Sequence, residues 1–264
     1  MEKTIILNDD LISNYQHIGT GGEGDIYKYD DKLAIKRFYK YTDKRKKYQM
    51  IRDLCELKDK SFCFPLGLVK NEKDEYLGYY MSLVDTKEGM ETFAYLLALR
   101  DQREKLKYFI KADEAMQRIH KLGIAIGDIR ENNILIDKDD NPVFIDTDNY
   151  SYLDSKYNFD DIRLHWLEMI YHKKFSKLDI DKYMYALMIM DTFSYYANLY
   201  EMQSDEFFED YISLLNVDNE IKEGLRLIFS DSHDKPYIGP ILKRIKPDRE
   251  IITMDAIDKC LGIR

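Results

Sequence analysis

The sequence predicts an α+β chain of two lobes, a β-rich first lobe (1–81) and a helical second lobe (87–264), joined through a hinge at 82–86 as one domain. Three observations predict it. The first third of the chain is rich in β-branched and aromatic runs, the remainder repeats its apolar residues at period 3.6, and no Gly/Ser/Pro linker separates the two near residue 85. Strand signals fall at 4–7, 26–29, 33–38, 66–69 and 76–84, interrupted by a charged stretch, 43–57, whose apolar spacing suits one helix. From Lys87 onward Leu106, Phe109, Ile110, Met116 and Ile119 trace one face of a long helix that ends near Gly123, a residue suited to a C-cap. Two short strands, 134–137 and 143–145, are joined by the turn cluster Lys138-Asp139-Asp140-Asn141-Pro142 and read as a hairpin. Residues 183–190 are apolar on every side, which predicts a helix buried in the second lobe.

Composition excludes whole classes of function. With 264 residues, 45% of them hydrophobic and 13% aromatic, and only 12 Gly and 5 Pro, the chain can bury a sizeable core and is neither disordered nor a fibrous repeat. A net charge of −9 opposes nonspecific binding to nucleic acid or an anionic membrane. The apolar run 183–190 is far shorter than the roughly 18 residues that span a bilayer, and the opening residues show no signal-peptide core before Asp9-Asp10. A cytoplasmic location follows as the expectation. Cys55, Cys63 and Cys260 form no C-x-x-C pair and are odd in number, so reduced structural thiols are expected in place of a disulfide framework or zinc site.

Chemistry-bearing residues begin with Gly19-Thr20-Gly21-Gly22-Glu23-Gly24, a G-x-G-x-x-G with a strand predicted on each side. Glycines there let backbone N–H groups approach a phosphate and permit positive φ. Alone, the motif is an ordinary glycine-rich hairpin. A dinucleotide-binding reading needs a helix directly after the third glycine, but Asp25-Ile26-Tyr27-Lys28-Tyr29 reads as a strand. Lys36 follows in Leu33-Ala34-Ile35-Lys36, an apolar strand ending in one cation. Asp128 and Asn133 stand five apart in Gly127-Asp128-Ile129-Arg130-Glu131-Asn132-Asn133, and Asp146 ends the apolar Val143-Phe144-Ile145.

Glycine flap, strand lysine, D-x-x-x-x-N and strand-borne aspartate occur together in the order found in protein kinases, and over about 15–199 the chain resembles that superfamily, with bacterial, eukaryotic-like Ser/Thr kinases the nearest likeness. Met116 to Ile124 is similar to the helix and turn before a kinase catalytic loop, and Tyr79 to Val84 to the strand and hinge. The resemblance implies a two-lobed kinase-like fold with ATP bound between the lobes. It implies that Lys36 holds the α- and β-phosphates, Asp146 and Asn133 hold Mg²⁺ or Mn²⁺, Asp128 takes the proton of the acceptor hydroxyl, and Arg130 meets the transferred γ-phosphate where such kinases usually carry lysine. It further implies that Gly19, Gly21, Gly22, Gly24, Ile26, Ala34, Glu56 and Leu135 contribute to the nucleotide site, with Met81 as gatekeeper and Leu83 and Val84 offering backbone groups to adenine. Glu56 and Asp53 compete as the acid that pairs with Lys36, and a solvated helix charge explains either. Asp181 reads equally well as a brace beneath the catalytic loop or as a simple acid near a helix start.

The pattern also breaks. Ile126 and Gly127 replace the histidine and arginine that precede the catalytic aspartate, which removes the reason to expect switching by activation-loop phosphorylation. Asp146-Thr147-Asp148 replaces D-F-G, and Asp148 reads equally as a further metal ligand or a loop cap. No A-P-E follows and the next helical pattern opens near Asn158, so the activation segment is short. His165 and His172, seven apart on an expected helix with Trp166 and Tyr171 nearby, are too far apart for an i, i+4 metal pair. Lys243-Arg244-Ile245-Lys246 reads as a solvated helix face. The expected activity is transfer of the ATP γ-phosphate to a Ser/Thr hydroxyl of a protein. A small-molecule kinase of the aminoglycoside or choline type, or an inactive pseudokinase, are the alternatives. The expected partners are ATP and a protein or small-molecule acceptor, with neither nucleic acid nor membrane, and the chain can act as a monomer.

Overall fold

In the computed structural model of the protein, residues 3–99, 101–153, 171–194, 205–246 and 250–260 are described. The chain is α+β and divides into two compact units, Met1–Thr86 with Val143–Tyr150, and Lys87–Pro142 with Ser151–Arg264. The first boundary falls at the end of the expected hinge. Residues 143–150, which sequence position assigns to the helical lobe, group instead with the sheet.

The first unit is built on six strands: β1 (Thr4–Ile6), β2 (Gln16–Thr20), β3 (Gly24–Lys28), β4 (Leu33–Phe38), β5 (Pro65–Lys70) and β6 (Tyr76–Ser82), in the order β1-β5-β6-β4-β3-β2. The β1/β5 pair is parallel and all others are antiparallel. Alternation along β4 assigns its side chains to two faces. Ile35 packs with Ile12 of the short helix α1 (Asp9–Ile12), Tyr27, Val69 and Leu77 in one core, while Ala34, Lys36 and Phe38 point the other way and are also buried. Helix α2 (Lys44–Leu54) covers β5 and β6, burying Met50, Ile51 and Leu54. Register sets Ala34 opposite Met81 and Lys36 opposite Tyr79. Gly78 is obligatory for this close approach, because a Cβ there would lie 1.9 Å from the Lys36 carbonyl oxygen.

Residues 143–150 are stitched to 61–64. Cys63 N–H donates to the Phe144 carbonyl and Phe144 N–H to that of Ser61, both at 2.8 Å. Phe62 stacks between Phe64 and Phe144 at 5.3 Å from each, and Tyr150 stands edge-on to Phe62 and Phe64. Cys63 is buried, its thiol pushed up to about 12 by burial, and neither it nor Cys55 forms a disulfide.

In the second unit, Asp101 caps α3 (Gln102–His120) by accepting from Arg103 N–H at 2.8 Å, and Gly123, at φ 71°, lets the chain turn beyond the helix end. Strand β7 (Ile124–Ala125) pairs with β10 (Ser151–Tyr152). Between them in sequence lie β8 (Ile134–Ile136) and β9 (Pro142–Phe144); the turn that follows β8 is closed by Asp137 N–H on the Asn141 carbonyl at 2.9 Å. Helix α4 (Lys177–Phe193) opens on Ser176, which caps Asp179 N–H, and all of 183–190 is buried, as the uniformly apolar run predicts. Helices α5 (Asp205–Leu214), α6 (Asn219–Ile228), α7 (Ile238–Leu242) and α8 (Met254–Cys260) complete it. Phe208 and Phe229 stack at 4.5 Å against Tyr183. Lys243, Arg244 and Lys246 lie just past α7 and pair with Glu114, Glu220 and Asp218, as a solvated basic stretch would. Among the described residues no helix is long and apolar enough to cross a membrane.

Candidate functional site

The first unit gathers three acids and two lysines. Lys36, in the centre of the sheet and 3% exposed, donates to Asp146 and, at 2.6 Å, to Asp148 Oδ1. The backbone makes both meetings possible: Asp146 takes the left-handed conformation, φ 59°, an uncommon state that an aspartate tolerates, and the 3₁₀ turn Thr147–Asn149 follows at once. Asp148 is wholly buried and accepts also from Tyr79 Oη at 3.2 Å and from Lys47 Nζ at 3.2 Å. Lys47 donates in addition to the Asp148 carbonyl at 2.9 Å and to the Glu23 carboxylate.

These contacts set the protonation of the cluster. Burial alone pushes the Asp148 carboxyl up, but Lys36 and Lys47 outweigh it and hold it well below the ordinary carboxylate range. Asp146, losing hydration and facing the charge of Asp148, is raised despite Lys36. Burial of Lys36 opposes its charge, yet Asp148 and Asp146 prevail and raise its pKa above the usual lysine value.

The second unit supplies the loop after β7. Asp128 Oδ1 accepts from Arg130 Nε (2.9 Å) and Nη2 (2.8 Å), and Oδ2 from Asn133 Nδ2 (2.9 Å), which also donates to the Asp128 carbonyl at 2.9 Å. Both Asn133 amide hydrogens being turned to Asp128, its side-chain oxygen stays available as a donor to a cation. Asp181 lies below. Its Oδ2 accepts from Ile126 N–H at 2.6 Å and from His120 Nε2 at 3.0 Å, and its Oδ1 from Gly127 N–H at 2.9 Å. Of the two readings of Asp181, the brace is the one the bonds support. With Nε2 donating, His120 Nδ1 accepts from Tyr237 Oη at 3.0 Å, so an imidazole buried among α3, α4 and the start of α7 holds the brace itself.

Several expectations need correcting. Glu56 lies in the turn past α2, exposed, and Asp53 is exposed and bound by Gln49, so neither is the partner of Lys36. Asp148 is that partner, and being enclosed by two lysines and a tyrosine it is neither a loop cap nor an open metal ligand. The glycine loop does not use positive φ: Gly19, Gly21, Gly22 and Gly24 all avoid it. Gly24 is needed because a Cβ would lie 2.3 Å from the Arg37 carbonyl oxygen, Gly21 N–H closes the turn on the Gly24 carbonyl at 2.9 Å, and a Cβ added at Gly22 would meet nothing within 4 Å, so that position does not require glycine for space. Leu83 N–H is taken by the Lys32 carbonyl at 2.7 Å, leaving Val84 as the backbone donor of that pair. His172 is in a turn at φ 48°, not on a helix; His165, Trp166 and the pattern near Asn158 lie outside the described residues.

The remaining residues stand where their strands put them. Ile26 faces Lys36 across β3/β4, Ala34 and Met81 are buried neighbours, and Leu135 is half-buried in β8. Sequence reasoning missed Lys47, Glu23, Gly78, Tyr79 and His120. One signal for Lys47 was present: Lys44, Arg45, Lys46 and Lys47 open α2 with no acid in the first turn, against the helix dipole, which calls for compensation from elsewhere.

Hard oxygen donors suit Mg²⁺ or Mn²⁺, and Asp146 carboxylate and Asn133 side-chain oxygen are of that kind. Among the described residues no three His, Cys, Asp or Glu side chains gather in a group that could hold a metal ion. No protein-family model matches the chain, and no curated protein is significantly similar to it.

Proposed function

We propose that the chain is an ATP-dependent phosphotransferase that moves the γ-phosphate to a Ser/Thr hydroxyl of a protein. The observation that carries this reading is the Lys36–Asp146 pair, which joins a buried strand cation to a part-exposed acid 110 residues later in the chain. Phosphoryl transfer asks for this kit: a fixed cation for the phosphates, an acid to carry a divalent ion, and an acceptor for a proton. Lys36 would bind the α- and β-phosphates. Asp146 and Asn133 would hold the Mg²⁺, whose contribution when bound is to neutralise charge on the phosphates. Asp128, oriented by Arg130 and Asn133, would take the proton as the acceptor oxygen bonds to the γ-phosphorus and the bond to the β,γ-bridging oxygen breaks, its electron pair leaving on ADP. Arg130, half exposed, is free to swing from Asp128 to the transferred phosphoryl group.

Intact-mass spectrometry after incubation with Mg-ATP, beside Asp128→Asn, tests the reading. The expected result is a phosphoryl adduct on Ser or Thr that the variant lacks. Turnover of ATP with a phosphorylated metabolite and no protein label would favour a small-molecule acceptor, and failure to bind Mg-ATP at millimolar concentration would overturn phosphotransfer altogether.

A further inference from the structure

We propose that Lys47 is a positioning residue that couples the glycine loop to Lys36 through an alternating chain of charge, Glu23–Lys47–Asp148–Lys36. The consequence for nucleotide rests on the phosphotransferase reading; the coupling itself does not. Lys47 is 3% exposed, a place where an unpaired ammonium would cost several kcal/mol. It sits in the first turn of α2, where the helix dipole repels a cation. Both costs are met by acceptors from outside the helix: the Glu23 carboxylate, Asp148 Oδ2 and the Asp148 carbonyl, which match the three N–H bonds of an ammonium. One side chain therefore ties three segments that are distant in sequence.

The loop end is built for the contact. The Glu23 carbonyl accepts from Tyr39 N–H at 2.9 Å and from Thr42 Oγ1 at 2.8 Å, and Tyr41 Oη donates to the Gly22 carbonyl at 3.2 Å. The segment that leads into α2 thus grips the loop backbone while the helix grips its acid. The two ends differ in exposure. Glu23 is 40% exposed and can be changed without opening the interior, whereas Asp148 is wholly enclosed. Removing Glu23 releases the loop alone; removing Lys47 releases the loop and the turn that holds Lys36.

Hydrogen exchange by mass spectrometry on wild type, Glu23→Gln, Lys47→Met and Lys47→Arg, with ATP kcat and KM on each, tests this. Loss of a charge-assisted hydrogen bond predicts about tenfold faster exchange at 20–24 in Glu23→Gln with 144–149 unchanged, and about tenfold faster exchange in both segments in Lys47→Met. Lys47→Arg is expected to return both towards wild type. KM for ATP is expected to rise about tenfold in Glu23→Gln with kcat nearly unchanged, and kcat to fall as well in Lys47→Met. Unchanged exchange at 20–24 in Glu23→Gln, or a uniform rise across β4, β5 and β6 in Lys47→Met with no segment favoured, overturns the proposal. If Lys47→Met does not fold, the Glu23→Gln result decides it. A wild type without phosphoryl transfer would sink the activity reading while the exchange results still judge the coupling.

Discussion

The two units handle their acids in opposite ways. In the first, Asp148 is wholly buried and its charge is met by two lysines and a tyrosine; in the second, Asp128 is part-exposed and is held by Arg130 and Asn133 from its own loop. The first arrangement unites segments more than a hundred residues apart, while the second closes within five and borrows its rigidity from Asp181 beneath. A buried counter-charge is rigid because removing one partner strands the others. A loop acid held by neighbours is oriented yet can exchange its partners, which would suit the proton-accepting role proposed for Asp128.

The comparison predicts unequal penalties. The largest is for Asp148→Ala, which leaves Lys36 and Lys47 buried without their shared acid; denaturant unfolding is expected to show a loss of about 3–5 kcal/mol. Next is Asp181→Ala. It strands the N–H groups of Ile126 and Gly127 and the ring of His120, for a loss of about 2–3 kcal/mol by the same measurement and a fall in any activity that depends on Asp128. Equal penalties for Asp148→Ala and Asp128→Ala would erase the distinction between the two acids.

Acid titration sharpens it further. A carboxyl held below its ordinary value stabilises the fold above about pH 4, and that stabilisation is lost as pH falls through the lower, folded-state value. Asp146, raised, acts in the other sense: its charge costs the folded state at neutral pH, and the cost is lifted as pH falls through its raised value. Asp148→Asn is therefore expected to flatten the fall in stability on acidification and to bring the Asp146 pKa down, since a like charge has gone; carboxyl ¹³C NMR and unfolding curves from about pH 6 to about pH 2 read both. The smallest effect belongs to Arg130→Ala. Its guanidinium is half exposed, so stability is expected to change by less than about 0.5 kcal/mol, while the proposed phosphoryl transfer is expected to fall by an order of magnitude or more.

How much of this was legible depends on the range of the interaction. The strand 33–38, the strand expected over 76–84 and found at 76–82, the helix ending before Gly123 and the buried run 183–190 were readable because each is written in local periodicity. The loop from Asp128 to Asn133 was readable for the same reason, its partners lying within five residues. The acid paired with Lys36 was not, because residue order does not show that Glu56 falls exposed past the end of α2 while the turn after Asp146 carries Asp148 to Lys36. Likewise, the need for Gly78 arises from a carbonyl on a neighbouring strand, and that of Gly24 from one on β4, distances that no single segment encodes.

The grouping of 143–150 with the sheet has a consequence for how the protein is made. Lys36 leaves the ribosome 110 residues ahead of Asp146. At roughly 5–20 residues per second that is about 5–20 s during which the sheet can pair its strands but not neutralise its central cation. The first unit in sequence is thus completed only after residues 87–142 of the second have been synthesised, so a nascent chain released before residue 146 carries a sheet whose Lys36 lacks both its acids and whose Lys47 lacks Asp148 but keeps Glu23.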